Sequence, residues 1–138
     1  MAVILEKISI KTSQREEVID INSKVRDVLK KAKKKNIMDG VVRIFVPHTT
    51  AGITINENAD PAVEKDMRNI LKDLVPKKDS YLHREGNSDS HVKSSLMGNM
   101  SEILLSDGEM VLGTWQGVKF CEFDGPRTRN IYIQVMGE

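Results

Sequence analysis

The chain has 138 residues, with 21 basic and 20 acidic side chains and a formal net charge of +1 at pH 7. This near balance argues against a broad electrostatic surface for nucleic acid or for an anionic membrane. A hydrophobic content of 39% is enough for a packed core and argues against disorder. Because domains of about 100–150 residues are common, we interpret residues 1–138 as a single domain.

Nothing in the sequence indicates export or membrane insertion. The apolar N-terminus lacks a basic leader and soon reaches Glu6 and Lys7, unlike a signal peptide. No apolar run approaches the roughly 20 residues that span a bilayer. The single cysteine, Cys121, excludes an intrachain disulfide and is expected to be a small buried hydrophobe. These features predict a cytoplasmic protein.

The N-terminal part predicts two strands and a helix. Residues 3–10 alternate between apolar and polar side chains, and residues 18–21 resemble a short partner strand. Asn22 or Ser23 is expected to cap the helix that follows. A lysine run in residues 30–35 suits the negative pole of that helix and is expected to be solvated. The apolar face of this helix comprises Val25, Val28, Leu29 and Ala32.

The middle of the chain predicts two further strands and a second helix. Residues 41–46 are mostly β-branched or apolar, which predicts a strand buried on both faces, and residues 53–56 alternate again. Asp60 and Pro61 favour a helix start, because Asp60 can accept from free amides and proline suits the first helical position. The helix is expected to end at Val75 and to turn an apolar stripe towards the core. This stripe comprises Val63, Met67, Ile70, Leu71 and Leu74.

The C-terminal part predicts a polar loop, a short helix and four strands. Residues 76–90 are polar and irregular, as in functional loops. Asp89 or Ser90 is expected to cap a helix over residues 91–97, which Gly98 ends. In total the patterns predict an α+β fold with a mainly antiparallel sheet, curled into a half-barrel or sandwich, and two to three helices packed on it. The last four strands are predicted at residues 102–105, 109–112, 117–123 and 130–136.

Three histidines, His48, His83 and His91, lie in polar, glycine-bearing segments. Three neutral imidazoles can hold a catalytic divalent metal, such as zinc, and leave one position for water or substrate. Their spacing is not that of a short metal-binding motif, so the fold must bring His48 to the other two. Each is equally well explained as a hydrogen-bonded loop residue. We consider all three as catalytic candidates and as candidate ligands of zinc or magnesium.

Other polar residues suit a small phosphorylated substrate. Free amides at the N-terminus of the third helix can bind a phosphate, although an Asp/Ser cap is the commoner explanation. Arg127 and Arg129 flank a turn, where they either clamp an anion or serve as ordinary hairpin charges. Glu57 and Glu122 are candidates for proton transfer. The further substrate-binding candidates are Thr49, Asn56, Asn87, Asp89, Ser90, Lys93, Gln116 and Asp124.

Four segments together resemble the YjbQ family, also called the secondary thiamine-phosphate synthase family. They are His48–Glu57 (HTTAGITINE), Asn87–Lys93 (NSDSHVK), Gly113–Val118 (GTWQGV) and Glu122–Arg129 (EFDGPRTR). The likeness covers the whole chain, and none of these positions departs from the family pattern. The GTWQ segment is the most specific of them.

The resemblance implies a fold, an assembly and an activity. It implies a compact α+β subunit with a curled antiparallel sheet, assembled as a homotrimer. It also implies that the three histidines line one pocket, with a metal as an option, and a weak thiamine-phosphate synthase activity. That reaction joins a pyrimidine-methyl pyrophosphate to a thiazole phosphate and releases pyrophosphate.

Three functions remain open from the sequence. The first is the alkyl-transfer reaction just described, using the histidines and the arginine pair. The second is a metal-dependent hydrolase or phosphatase that uses the same pocket, with Glu57 or Glu122 as base. The third is a non-catalytic protein that binds a small phosphorylated ligand or a metal.

Overall fold

The computed structural model describes all 138 residues and contains eight strands and three helices. No helix is long and apolar enough to cross a membrane. The elements are β1 (Ala2–Lys11), β2 (Glu17–Asp20), α1 (Asn22–Lys34), β3 (Gly40–Phe45), β4 (Ala51–Glu57), α2 (Pro61–Leu74), α3 (Ser88–Met97), β5 (Met100–Ser106), β6 (Glu109–Met110), β7 (Gln116–Glu122) and β8 (Thr128–Gly137).

The strands form two antiparallel sheets. The larger has the order β1-β8-β3-β5-β6, and the smaller has the order β2-β7-β4. The long strands β1 and β8 pair over ten residues, from Ala2 opposite Gly137 to Lys11 opposite Thr128. One sheet is curled into a half-barrel, so the predicted α+β fold is confirmed.

Helix α1 and the inner faces of both sheets form one hydrophobic core. The predicted apolar face of α1 is confirmed, since all four of its residues are at least 96% buried. The predicted cap is wrong, because Asn22 is already the first helical residue and Ile21 occupies the cap position. The Asn22 side chain instead accepts a hydrogen bond from the Val118 amide at 2.7 Å, which ties α1 to β7.

Strand β3 is buried on one face only, which corrects the prediction of two buried faces. Val42 and Ile44 point into the core and are fully buried, whereas Arg43 lies on the outer face and pairs with Glu102 on β5 at 2.6 Å. The outer face retains exposed apolar side chains, such as Leu104 at 63% exposure. An apolar run therefore does not show that both faces of a strand are covered within the subunit.

Helix α2 begins as the sequence predicts but does not pack into the core. The Asp60 side chain accepts from the Ala62 amide at 2.9 Å, and Pro61 is the first helical residue. However, no residue of α2 is buried, and Ile70 and Leu74 are 58% and 71% exposed. The prediction of a core-facing stripe is thus wrong, because α2 lies over the outer face of the smaller sheet and leaves a cavity beneath it.

The β5–β6 hairpin turns at Asp107 and Gly108, both with positive φ, as a tight two-residue turn requires. The turn lies between the strands predicted at residues 102–105 and 109–112, but the second strand is shorter than predicted. Strand β6 comprises Glu109 and Met110, and Val111 then makes one more backbone bond to Leu104 before the pairing ends.

Candidate functional site

A polar cleft of about 520 Å³ opens where the loop after β3 meets the C-terminal half of α3. None of its lining side chains is hydrophobic. A lining of imidazoles, hydroxyls and amides suits a polar ligand rather than an apolar one. The lining residues are His48, Thr49, His91, Ser94, Ser95, Gly98 and Asn99.

Helix α3 is bonded directly to the strand that follows the His48 loop. The Ser94 hydroxyl donates to the Ala51 carbonyl at 2.6 Å, and the Ile53 amide donates to the Gly98 carbonyl at 3.0 Å. Gly98 has φ 91°, a conformation that glycine adopts without strain, and it ends the helix as predicted. These bonds fix His91 on α3 relative to the loop that carries His48.

His48 is held through its Nε2 atom. This nitrogen lies 2.9 Å from the backbone nitrogen of Asn130 and 3.1 Å from its carbonyl oxygen. Because the backbone amide can only donate, we assign Nε2 as acceptor and the proton to Nδ1. Burial, and next the nearby charge of Arg129, lower the pKa of His48. At neutral pH His48 is therefore an uncharged imidazole whose Nδ1–H is its available donor.

The other two histidines lie against each other. The rings of His83 and His91 meet edge to face, with centroids 5.3 Å apart, and the carboxylate of Glu85 lies 3.7 Å from His83 Nε2. Since His91 and His48 line the same cleft, the structure places all three histidines at one end of the molecule.

The three imidazoles do not form a metal-ligand set in this arrangement. No group of three or more histidine, cysteine, aspartate or glutamate side chains is placed to hold one ion. His48 Nε2 is already hydrogen-bonded to the backbone. The residues present therefore do not fit a resident zinc or magnesium ion.

A buried ion pair between Glu122 and Arg129 lies behind the cleft. Arg129 Nε donates to Glu122 Oε1 at 2.9 Å, and Nη2 donates to Oε2. Glu122 also accepts from the Thr12 hydroxyl at 2.8 Å and from the Asp124 amide at 3.1 Å. Burial would raise the pKa of Glu122, but the bonds from Arg129, Asp124 and Thr12 outweigh it and lower the pKa. Fully buried and with both oxygens engaged, Glu122 has no free oxygen for a substrate proton.

The same ion pair connects the two sheets and holds the His48 loop. Glu122 ends β7 in the smaller sheet, whereas Arg129 lies on β8 in the larger one. Arg129 Nη2 also donates to the Thr50 hydroxyl at 2.8 Å and to the Thr50 carbonyl at 3.2 Å. Arg129 is only 2% exposed and its hydrogen bonds are made within the interior. The two arginines therefore do not act together as the predicted anion clamp.

Arg127 is the exposed member of the arginine pair. Its Nη2 donates to Asp124 Oδ2 at 3.0 Å and its Nε donates to the Asp124 carbonyl at 2.9 Å, while the side chain is 49% exposed. Asn87 Nδ2 donates to the same carboxylate at 2.8 Å, and Asn87 Oδ1 is buried without a hydrogen-bond partner. Arg127 is therefore oriented by Asp124 and keeps Nη1 for an external acceptor.

The charged side chains near the N-terminus of α3 are paired with other charged side chains of the protein. The helix begins at Ser88 with Asn87 in the cap position, so the prediction that Asp89 or Ser90 is the cap is wrong. Lys93 is 1% exposed, and its ammonium lies 2.5 Å from Glu16 and 3.2 Å from Asp89. Because its ammonium is paired with two carboxylates, Lys93 is not available in this arrangement to bind a phosphate, the role for which the sequence suggested it.

Asp89 and Ser90 are used within the same network. Burial would raise the pKa of Asp89, but hydrogen bonds from Arg15 and Lys93 outweigh it and lower the pKa. The Ser90 hydroxyl donates to the Phe123 carbonyl at 2.6 Å. Both side chains thus hold α3 in place and are not presented to a ligand.

Three other predicted site residues lie at the far end of the smaller sheet. Asn56 and Glu57 end β4, and Glu57 is opposite Gln116 at the start of β7. The six steps from Ala51 to Glu57 span about 20 Å at roughly 3.3 Å per residue. Within one subunit these residues therefore do not meet the histidines.

Sequence reasoning missed several residues that build this region. Arg15 pairs with Asp89 and Glu16 pairs with Lys93, both on α3, and Asn99 lines the cleft. The four-residue spacing of Asp89 and Lys93 on a helix did carry a signal, because such pairs are neighbours on one face. No local pattern identified Arg15 or Glu16, which lie more than 70 residues away in the sequence.

We expect Glu122→Gln to destabilise the protein by about 3 kcal/mol or more at neutral pH, because it leaves Arg129 buried without a counter-ion. The folded pKa of Glu122 lies below its ordinary value of 4.5. The stabilisation is therefore present above pH 4.5 and is lost as the pH falls through the folded pKa. Urea unfolding from pH 7 to pH 3 should show the wild-type advantage shrinking with acid.

Glu6→Gln is the matched control, because Glu6 forms a surface pair with Lys31 at 3.3 Å. Its cost should be about 1 kcal/mol or less. Equal costs for the two variants, or a Glu122 effect that does not change with pH, would contradict the assignment of Glu122 as a buried anchor.

Comparison with known proteins gives one consistent result. The family model "UPF0047 protein YjbQ-like" matches residues 6–138. A UPF0047 protein of Methanocaldococcus jannaschii is 51% identical over 98% of this chain and 96% of its own length, and the UPF0047 protein YugU of Bacillus subtilis is 47% identical over 97% and 100%. A crystal structure of an uncharacterised YjbQ/UPF0047 protein from Clostridium acetobutylicum is 45% identical, with a TM-score of 0.90 over 95% of this chain and 99% of that one.

Proposed function

Since the chain belongs to the YjbQ-like UPF0047 family, we propose that it is a secondary thiamine-phosphate synthase acting in the polar cleft. Its substrates would be a pyrimidine-methyl pyrophosphate and a thiazole phosphate. The observation that carries the proposal is the cleft itself, which has hydrogen-bond donors from two elements and no apolar lining. Such a lining suits ligands that carry phosphate groups.

The proposed reaction needs donors for developing negative charge. The bond between the methylene carbon and the pyrophosphate oxygen breaks, and its electron pair leaves with pyrophosphate. The thiazole ring nitrogen then supplies the electron pair of the new carbon–nitrogen bond. Fixed donors aimed at the leaving oxygens lower the barrier, because they stabilise charge as it forms.

The residues divide into ligand-facing and positioning groups. We assign His48 Nδ1–H and the Thr49 hydroxyl, which line the cleft, as donors to phosphate oxygens. Arg127, whose charge acts on His48 from outside this lining, supplies Nη1 as a further donor. His91 faces the same cleft and binds the substrate beside them. Glu122, Arg129, Asp124, Asp89 and Lys93 act as positioning residues.

The alternative of a metal-dependent hydrolase gains no support from this geometry. Its two candidate bases do not reach the histidines, because Glu122 is buried and fully bonded and Glu57 lies at the opposite end of β4. The histidines do not form a ligand set either.

Arg127→Ala should lower the rate of thiamine-phosphate formation by roughly 100-fold, which is the usual cost of removing one donor to developing charge. His91→Ala should lower it similarly. Arg26→Ala is the control, because Arg26 is exposed on α1 and should leave the rate unchanged. The rate of each purified variant is measured with both substrates present, and thermal melts check that each variant is folded. Wild-type rates in both site variants would overturn the proposal.

We also propose that the protein assembles as a homotrimer through the outer face of the larger sheet. This face exposes Leu5 at 60%, Met100 at 53% and Leu104 at 63%, and the Arg43–Glu102 pair lies among them. Exposed apolar side chains grouped on one face of a sheet are typical of an interface. A neighbouring subunit would also bring a second set of polar residues near each cleft.

Leu104→Glu should convert the trimer to monomers, because it places a carboxylate in the apolar contact. Leu82→Glu is the control, since Leu82 is 99% exposed in a loop outside this face. Light scattering after size exclusion gives the mass of each variant. A monomeric wild type, or a trimeric Leu104→Glu variant, would contradict the proposed interface.

A further inference from the structure

A second cavity, of about 220 Å³, lies between α2 and the outer face of the smaller sheet. Its character is opposite to that of the polar cleft, and the two share no lining residue. Apolar side chains from both layers line it, including Val18, Met67, Leu71, Met97, Cys121 and Phe123. Small-molecule sites in proteins are commonly apolar cavities with a few polar groups.

Helix α2 covers this cavity without filling it. None of its residues is buried, although its apolar side chains turn towards the sheet and line the cavity. A well-packed helix of this length would bury part of its stripe. The space beneath α2 is therefore a gap that an added apolar molecule can fill, with a gain from the surface it removes from water.

One buried hydrogen-bond donor in this lining lacks an acceptor, and a second cation lies nearby. The Nε atom of Arg68 is buried and has no hydrogen-bond partner, and the nearest carboxylate, that of Glu64, lies 3.9 Å away. Lys119 is 93% buried, and its ammonium is 4.0 Å from the Asp20 carboxylate. A buried donor left without an acceptor costs roughly 1–3 kcal/mol, so an acceptor placed here is favourable.

The charges around the cavity select an uncharged acceptor. Arg68 and Lys119 are offset by Glu57 and Glu64, which also line the cavity. A carboxylate or phosphate would meet both signs of charge, whereas a carbonyl oxygen accepts from the free Arg68 Nε–H without adding a charge. The polar end of a suitable ligand is therefore an uncharged, carbonyl-type acceptor.

We propose that this cavity binds a small, uncharged, apolar molecule of about one aromatic ring that carries a carbonyl-type acceptor. Leu71 and Met67 of α2 contact the ring, and Arg68 Nε donates to the acceptor. Cys121 forms part of the floor. The site is separate from the polar cleft and does not depend on the synthase activity.

Acetophenone and ethylbenzene are suitable probes, because they have matched shapes and only acetophenone has the carbonyl. Of the seven methionines, Met67 and Met97 line the cavity, so their methyl NMR signals should shift on addition of acetophenone while that of Met1 does not.

Two variants separate a specific site from general apolar binding. Arg68→Met should weaken acetophenone binding about five- to tenfold, because one buried hydrogen bond is lost, and should leave ethylbenzene binding unchanged. Leu71→Trp should fill the cavity and abolish the Met67 and Met97 shifts with both probes. Leu82→Trp in the exposed loop should leave these shifts unchanged. Unshifted Met67 and Met97 signals, or equal effects of Arg68→Met on both probes, would overturn the proposal.

Discussion

The buried ion pair between Glu122 and Arg129 is the interaction on which this structure depends. It joins the last residue of β7 in one sheet to β8 in the other, and Thr12 and Thr50 bond to it from the ends of two further strands. A charge in the interior is tolerated only when it is paired and hydrogen-bonded. Each member therefore requires the other, and the relative position of the two sheets follows from satisfying both.

The position of the candidate site depends on this ion pair. Arg129 holds Thr50 through its side chain, and the amide of the next residue, Asn130, donates to His48. The loop of His48 is thus held at the seam between the sheets, and α3 brings His91 to the other side of the cleft. Most charged residues of the region serve this construction, so few of them remain to meet a ligand.

Local patterns predicted the elements better than their partners. The faces of β1 and α1, the Asp60 cap and the tight turn at Asp107 follow from the chemistry of adjacent residues. The stripe of α2 and the outer face of β3 were misjudged, because apolar periodicity shows that a face prefers cover but not that this chain supplies it. The pairing of Lys93 could not be predicted for a related reason, since its partner Glu16 is distant in sequence and no local rule reveals it.

Histidine NMR with inorganic pyrophosphate tests the central claim most directly, namely that His48 is an uncharged donor in a cleft for phosphorylated ligands. With three histidines in the chain, each imidazole signal can be followed through a pH titration. We expect the pKa of His48 to lie below its ordinary value of 6.5. We also expect pyrophosphate to shift the signals of His48 and His91. Titration of His48 at or above 6.5, with neither signal responding to pyrophosphate, would contradict this claim.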